Sequence, residues 1–198
     1  MTEAPLSVFA DANILVSRCL RDWFNLCASL CDEPLYVARW SDDVITEWKR
    51  AWRKRNPGVT DAALRHLLKL FFDSHGLDGE VIGFNPQDYP QPSKDIHDWH
   101  VLAAAAHANV NILLTDNKNT FTPDCVQGRF DVLTSDDFFQ LVLDRRPDIV
   151  ASVTELQLAY WGGRGEQPAE AVIGRLVRAQ ATVFASRLQK ELPQLFEG

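Results

Sequence analysis

"KDIHDWHVLAAAAHANVNILLTDN", Lys94 to Asn117, decides how this chain folds. Carboxylates at Asp95 and Asp98 open a helix that turns almost wholly into alanine and then runs into an apolar strand, "NILLT" (111–115). At 3.6 residues per turn, Asp95, Asp98, Leu102 and Ala105 share one face, with Val101 beside them. Trp99, Ala103 and Ala106 then lie on another side. Alanines let such a helix approach a sheet closely, so the two acids are expected near the sheet rim, at the positive end of the helix dipole. Helix capping accounts for Asp95. Asp98 on the packing face is harder to explain, because burying an ion costs several kcal/mol unless a cation or metal offsets it.

The rest of the chain repeats the alternation of strand and helix. "LSVFA" (6–10) and "LYVA" (35–38) read as buried strands, "EVIGF" (80–84) as a third, "NILLT" as a fourth and "FDVLT" (130–134) as a fifth. Between them, residues 13–30 carry a helical apolar period. Ser41 is expected to cap a helix through Arg55 that stops near Pro57 and Gly58, and a further helix begins at Thr60–Asp61. Ser135 is expected to cap "DDFFQLVLDR". Beyond Pro147 come two more helical patterns. These elements predict an α/β fold, Rossmann-like, with a central parallel sheet of about five strands flanked by helices. Residues 1–147 form the domain. Residues 148–198 form a C-terminal helical extension, packed on that domain or on a partner.

Composition narrows the function classes. With 46% hydrophobic and 24% charged residues the chain is an ordinary globular one, neither disordered nor fibrous. The longest unbroken apolar run, Val101 to Ala106, is far short of the roughly 18 residues a membrane helix needs. "MTEAPLSVFADAN" has no basic segment followed by an apolar one, and Glu3 stands where a secretory signal carries Lys or Arg, so a cytoplasmic protein is expected. Cys19, Cys27, Cys31 and Cys125 include no C-x-x-C pair and are expected to be reduced thiols. A net charge of −7 argues against coating nucleic acid by charge alone, yet suits an acidic cleft whose field a metal reverses. One cationic run, "KRAWRKR" (Lys49 to Arg55), is either a solvated helix face or a ridge that tracks phosphates.

In parallel sheets the functional crevice lies at the carboxyl ends of the strands. Acids stand at two such places, Asp11 after the first strand and Asp116 after the fourth. Asp11 is a helix cap or a rim carboxylate. Glu47, one helical turn past Asp43 and Val44, reads by itself as an exposed partner of Arg50 or Lys54 at helical spacing. Together with Asp95 and Asp98 these are ingredients of a divalent-metal site, and hard oxygen ligands suit magnesium or manganese rather than zinc. His97 and His100 lack an H-E-x-x-H pattern and a neighbouring thiol, so His100 is expected to hydrogen-bond at the cleft edge.

"FADANIL" (9–15), "ARWSDDVITEW" (38–48), "DIHDWHVLAAAAHANVNILLTDN" (95–117) and "VLTSDDFF" (132–139) together resemble PIN-domain ribonucleases. They are most similar to the VapC-type toxins of bacterial toxin–antitoxin pairs, over roughly the first 145 residues in matching order. The resemblance implies hydrolysis of RNA phosphodiester bonds in an acidic pocket that holds one or two Mg2+ or Mn2+ ions. By position it makes Asp11, Glu47, Asp98 and Asp116 the catalytic acids and the metal ligands, with Asp95 as an accessory ligand. Asn13, Asn117 and His100 are supporting residues, and Lys49, Arg50, Arg53 and Lys54 contact RNA, with Arg18 and Arg21 as further candidates. The fourth acid of the pattern falls on Asn117. Thr120 also replaces an acid, which leaves Asp116 as the candidate substitute and puts the second ion in question. The resemblance further implies a small antitoxin whose tail covers the cleft, and a homodimer.

Rival readings are weaker or of another class. A haloacid-dehalogenase-type phosphatase needs an acid two residues after Asp11, where this chain has Asn13. A nucleotide-binding Rossmann domain needs a glycine-rich turn after the first strand, and "ADANILV" has none. A catalytically impaired PIN fold that only binds RNA or protein remains open, because the fourth acidic position is altered.

Overall fold

The computed structural model describes residues 4–30, 33–92, 95–165 and 167–193. Strands β1 (Leu6–Ala10), β2 (Tyr36–Arg39), β3 (Ile112–Leu114) and β4 (Asp131–Leu133) form one parallel sheet in the order β2-β1-β3-β4. Val8, Phe9 and Ala10 in β1 and all of β3 are buried, as expected of central parallel strands covered on both faces. Helices α1 (Ala12–Val16), α2 (Arg18–Ser29), α3 (Asp42–Arg55), α4 (Asp61–His75), α5 (Trp99–His107), α6 (Pro123–Val126) and α7 (Ser135–Arg145) connect and flank the strands. Ala10 pairs with Leu114, and Leu114 with Leu133, so β1, β3 and β4 end level with one another. The next residues in each case, Asp11, Thr115 and Thr134, therefore line one rim.

The sheet has four strands where the sequence predicted about five. "EVIGF" makes only an isolated bridge, Glu80 with Trp40, although Gly79 and Val81 also exchange backbone hydrogen bonds with Trp40. Ile82 is then exposed, and Gly83 takes φ +76°, which turns the chain away from the β2 edge. Gly79 sits so close under the Trp40 ring that a Cβ there would lie 2.2 Å from it. The segment seals the edge of β2 and does not extend the sheet.

Other departures are local. The helix expected over 13–30 breaks at Ser17, which is extended and caps α2 by accepting from the Leu20 N–H. Thr134, not Ser135, caps α7, accepting from the Asp137 N–H at 3.1 Å. Ser41 caps α3 as expected, and that helix ends at Arg55. Asp95 and Asp98 do not stand on an α-helix: residues Ile96–Asp98 form a 3₁₀ turn capped by Asp95, and α5 starts at Trp99. A 3₁₀ turn eclipses residues three apart, so the two acids still fall on one side. Val101 to Ala106 are all buried, which corrects the expected one-sided packing: α5 is enclosed on every side.

Beyond Pro147 the chain forms α8 (Pro147–Gly162), α9 (Pro168–Arg178) and α10 (Thr182–Glu191). The pattern expected as one long final helix divides at Gln180, whose φ of +67° accompanies a closing hydrogen bond from the Ala181 N–H to the Leu176 carbonyl. This extension packs back onto the domain. Val150, Val153, Trp161, Val172, Leu176, Phe184 and Leu188 join the same apolar core as Val8 and Phe9. The Trp23 ring meets Phe184 edge-on at 5.1 Å. Cys27 and Cys125 are buried and Cys19 is half-buried, while Cys31 lies outside the described residues. Among the described residues no helix is long and apolar enough to cross a membrane.

Candidate functional site

Asp11 follows β1 directly, and its backbone N–H is held by the Leu114 carbonyl at 3.1 Å. It occupies the N-cap position of α1, yet its carboxylate makes no capping bond. Oδ2 instead accepts from Asn13 Nδ2 and from the Thr115 hydroxyl, each at 2.6 Å. The Thr115 hydroxyl also accepts from Asn13 Nδ2 (2.9 Å) and from the Asn117 N–H (3.1 Å), which uses its full capacity of one donor and two lone pairs. Thr115 is fully buried and ties the end of β3 to the end of β1. Asn13 completes the tie by accepting from the Asp116 N–H at 3.2 Å.

Asp98 caps nothing either; its Oδ2 accepts from Asn117 Nδ2 at 2.7 Å. Glu47 reaches inward from α3, and its Oε1 lies 3.2 Å from His100 Nε2 on α5. Among the described residues it makes no ion pair with Arg50 or Lys54. Asp95 accepts from the His97 N–H at 2.9 Å and so caps the 3₁₀ turn. Asp116 departs from the cluster: it is exposed, and its Oδ1 accepts from the Ser135 N–H at 2.8 Å, at the start of α7.

The electrostatics bring Asp11, Glu47, Asp98 and His100 into one site. Burial pushes the Asp11 carboxyl up to about 6; Asp98 and Glu47 add to the rise, against hydrogen bonds from Thr115 and the Ala12 backbone. Asp98 is also raised, first by burial and then by Asp95 and Glu47, while hydrogen bonds from Asn117 and Thr120 oppose the shift. Burial works against a charged His100, but the Glu47 hydrogen bond and the charges of Glu47, Asp43 and Asp11 outweigh it and raise its pKa. Among the described residues His100 Nδ1, which is buried, has no hydrogen-bond partner. Among the described residues no Lys or Arg lies within ion-pair distance of Asp11 or Asp98.

Among the described residues Asp11 and Asp98 therefore have no Lys or Arg as a direct counter-charge. The donors of the site are carboxylate oxygens with amide and hydroxyl neighbours, the ligand chemistry of Mg2+ or Mn2+. Among the described residues no group of three or more His, Cys, Asp or Glu side chains is placed to hold a metal ion. An open carboxylate pair still suits Mg2+, which keeps several waters and binds through one or two carboxylates plus phosphate oxygens. Asp11 and Asp98, with Glu47, are the residues that could hold such an ion.

The basic run starts one residue after the buried Trp48. Arg50, Arg53, Lys54 and Arg55 are exposed and Lys49 half-buried. Arg53 is paired with Asp61 at 3.0 Å. Arg50 and Lys54 continue the Glu47 stripe by steps of three and four, so the cations extend roughly 10 Å along α3 from the acidic site. Arg21 is no part of that ridge: it is buried, donates to the Leu15 carbonyl at 2.7 Å and lies over the Trp48 ring. Arg18 is likewise taken up, by Asp22 and the Tyr160 hydroxyl.

Thr115 was invisible as a site residue in the sequence, where it reads as the last residue of a strand. The sequence signal was its place between an apolar run and Asp116-Asn117. No protein-family model, curated protein or solved structure matches the chain.

Proposed function

We propose that this chain is a divalent-metal-dependent ribonuclease with a PIN-type fold, acting as the toxin of a toxin–antitoxin pair. One observation carries the reading: a buried carboxylate, Asp11, stands at the carboxyl end of a central parallel strand, coupled to Asp98 and Glu47, with no Lys or Arg among the described residues within ion-pair distance. A stability role alone would not assemble like charges at a sheet rim, since their repulsion and burial oppose folding. The chemistry a bound Mg2+ or Mn2+ supplies is a nucleophilic water near neutral pH and relief of charge on the phosphoryl oxygens. Asn13 and Thr115 fix the Asp11 carboxylate, and Asn117 fixes that of Asp98, so both are oriented before substrate arrives. Arg50 and Lys54 lead RNA phosphates along α3 toward Glu47. An antitoxin segment that places a basic side chain over Asp11 and Asp98 would silence the site by supplying its missing charge.

A second reading, a PIN-type fold that binds RNA or protein without cleaving it, is favoured by the neutral Asn117 and Thr120 beside Asp98 and by the engagement of Asp116 at α7. Purified full-length protein incubated with a mixed RNA pool, in Mn2+ or Mg2+ against EDTA and beside Asp98→Asn, separates the two. Metal-dependent cleavage lost in Asp98→Asn supports the ribonuclease. RNA left intact in both metals by folded, antitoxin-free protein supports the binding fold.

A further inference from the structure

The rim that carries the acidic site has two flanks. With the strand order β2-β1-β3-β4 and neighbouring strands about 4.8 Å apart, that rim is about 15 Å wide. Helix α3 follows β2 and brings Glu47 and the basic run to one flank. Asp11 follows β1, and Asn117, beyond the end of β3, holds Asp98 at 2.7 Å. At the other flank α7 follows β4, and there Lys118 Nζ lies 3.3 Å from Asp137 Oδ2. Cations therefore stand on both sides of the carboxylates, the α3 run beyond β2 and Lys118 toward β4.

A short turn makes this division. Lys118–Thr120 form a 3₁₀ turn directly after Asn117. Residues three apart eclipse in such a turn, so Asn117 and Thr120 face one way, and both hydrogen-bond Asp98. Lys118 leaves about a third of a revolution away and reaches α7 instead. Its backbone is fixed, because its carbonyl accepts from the N–H of the buried Phe121 at 3.1 Å. Its head is not: the Lys118 and Asp137 side chains are 49% and 46% exposed, and an ion pair so open to water is weak. Asp137 is also engaged by Thr134, the N-cap of α7, so it keeps its place without Lys118. The flexible four-carbon stem of a lysine lets the ammonium leave Asp137 while Asn117 stays on Asp98.

We propose that Lys118 exchanges Asp137 for a phosphate of the RNA strand and is its contact on the β4 side, so that the strand is gripped on both sides of Asp11 and Asp98. This rests on the ribonuclease reading and deepens it by naming a substrate-binding residue. Lys118 holds substrate only; it takes no part in holding the metal ion. A lysine ammonium is a compact point charge, suited to a phosphate that arrives from solvent and leaves again. The rival account is a tie between the 3₁₀ turn and α7 that serves stability alone. The two partners of the pair tell these accounts apart, because Lys118→Gln and Asp137→Asn both break it. A tie gives the same effect from each. A phosphate contact gives opposite effects, since Asp137→Asn frees the lysine.

The test is filter binding of a labelled, mixed-sequence single-stranded RNA to the full chain carrying Asp98→Asn, over a salt series. Cleavage of the same RNA in Mn2+ by the chain with Asp98 intact runs beside it. Lys118→Gln is expected to weaken binding about three- to tenfold and to reduce the slope of log affinity against log salt by about 0.7. Asp137→Asn is expected to tighten binding by about twofold, and Lys118→Arg to restore it. In cleavage, Lys118→Gln is expected to raise KM more than it lowers kcat. Equal weakening by Lys118→Gln and Asp137→Asn overturns the contact, as does an unchanged affinity and slope in Lys118→Gln. Absence of RNA binding overturns it too. If the chain with Asp98 intact cleaves nothing, the ribonuclease reading falls by itself, and opposite effects of the two variants on binding still support Lys118 as a phosphate contact of an RNA-binding fold.

Discussion

Asn117 donates from Nδ2 to Asp98 Oδ2 across 2.7 Å, and the Thr120 hydroxyl supports the same carboxylate. Two neutral donors thus occupy the region where the PIN pattern carries further acids. They aim hydrogens, not lone pairs, at Asp98, so on the proposed ribonuclease reading Asp11 and Asp98 would hold a single ion. Manganese binding followed by electron paramagnetic resonance is expected to saturate at one ion per chain. Asn117→Asp replaces the donor with a charge. In EDTA it is expected to lower stability by about 1–2 kcal/mol, discounted for solvent at this half-exposed pair, and to gain more in melting temperature from Mn2+ than wild type does. A wild-type stoichiometry of two would contradict the single-ion account.

The Asp11 carboxyl, raised to about 6, makes stability depend on pH in a direction opposite to most carboxylates. Between its unfolded value near 4 and about 6 the folded chain binds the extra proton, so Asp11 lowers stability as pH rises through that window. The full effect is about 3 kcal/mol and is complete above the window. Asp11→Asn keeps an oxygen for the Thr115 and Asn13 donors and removes the charge. Urea unfolding in EDTA is expected to show Asp11→Asn more stable than wild type at pH 7.5, with the difference vanishing near pH 4. Equal stability at both pH values would mean that Asp11 carries no such strain.

The raised pKa of His100 has its own signature. An imidazolium favoured in the folded chain stabilises fully below the ordinary histidine value of about 6.5, and the contribution fades as pH rises through the folded value. Glu47 supplies the largest opposition to burial, so Glu47→Gln is expected to move the His100 titration to lower pH. Proton NMR of the imidazole resonances in EDTA reads this directly. An unmoved titration would remove Glu47 from the pair.

Much of this arrangement was legible in the sequence. The apolar runs at Leu6 and Ile112, each ending at a polar residue, announced central parallel strands; those runs and helical spacing singled out Asp11 and Asp98, whereas Glu47 was singled out by the family resemblance. "EVIGF" misled because a short apolar run matches a strand, while the positive φ of Gly83 and the Trp40–Gly79 contact are decided by tertiary packing. Asp116 stood in line with Asp11 at a strand end, but the free N–H of Ser135 drew its carboxylate to α7. Arg21 looked like surface charge; only the fold reveals that the Leu15 carbonyl and the Trp48 ring bury it. Polarity in a sequence says that a group needs a partner. It does not say which partner is nearest.

If α3 guides RNA, its cations should register in the salt dependence of binding. Replacing Lys49, Arg50 and Lys54 together by Gln is expected to weaken binding of a noncleaved RNA to Asp98→Asn protein and to reduce the slope of log affinity against log salt by about 0.7 per lost contact. Arg53→Gln is expected to matter less, because Arg53 is already paired with Asp61. Filter binding over a salt series checks both. An unchanged slope in the triple variant would return the run to a solvated helix face.

The C-terminal helices share the core of the domain, so they should behave as part of one folding unit. Phe184 is fully buried between Trp23, at 5.1 Å, and Phe139, at 5.4 Å. Its backbone N–H is held by Asp136 Oδ1 at 2.9 Å, which fixes the start of α10 against α7. Removing the ring leaves a cavity lined by aromatic faces that cannot collapse without moving α2 or α7, so Phe184→Ala is expected to cost about 3–5 kcal/mol. The six tryptophans are spread over the domain and, through Trp161, the extension, so total tryptophan fluorescence and the far-UV circular dichroism should lose signal at one denaturant concentration in wild type and at one lower concentration in the variant. Two separated transitions in wild type would instead mean that the extension unfolds independently of the sheet.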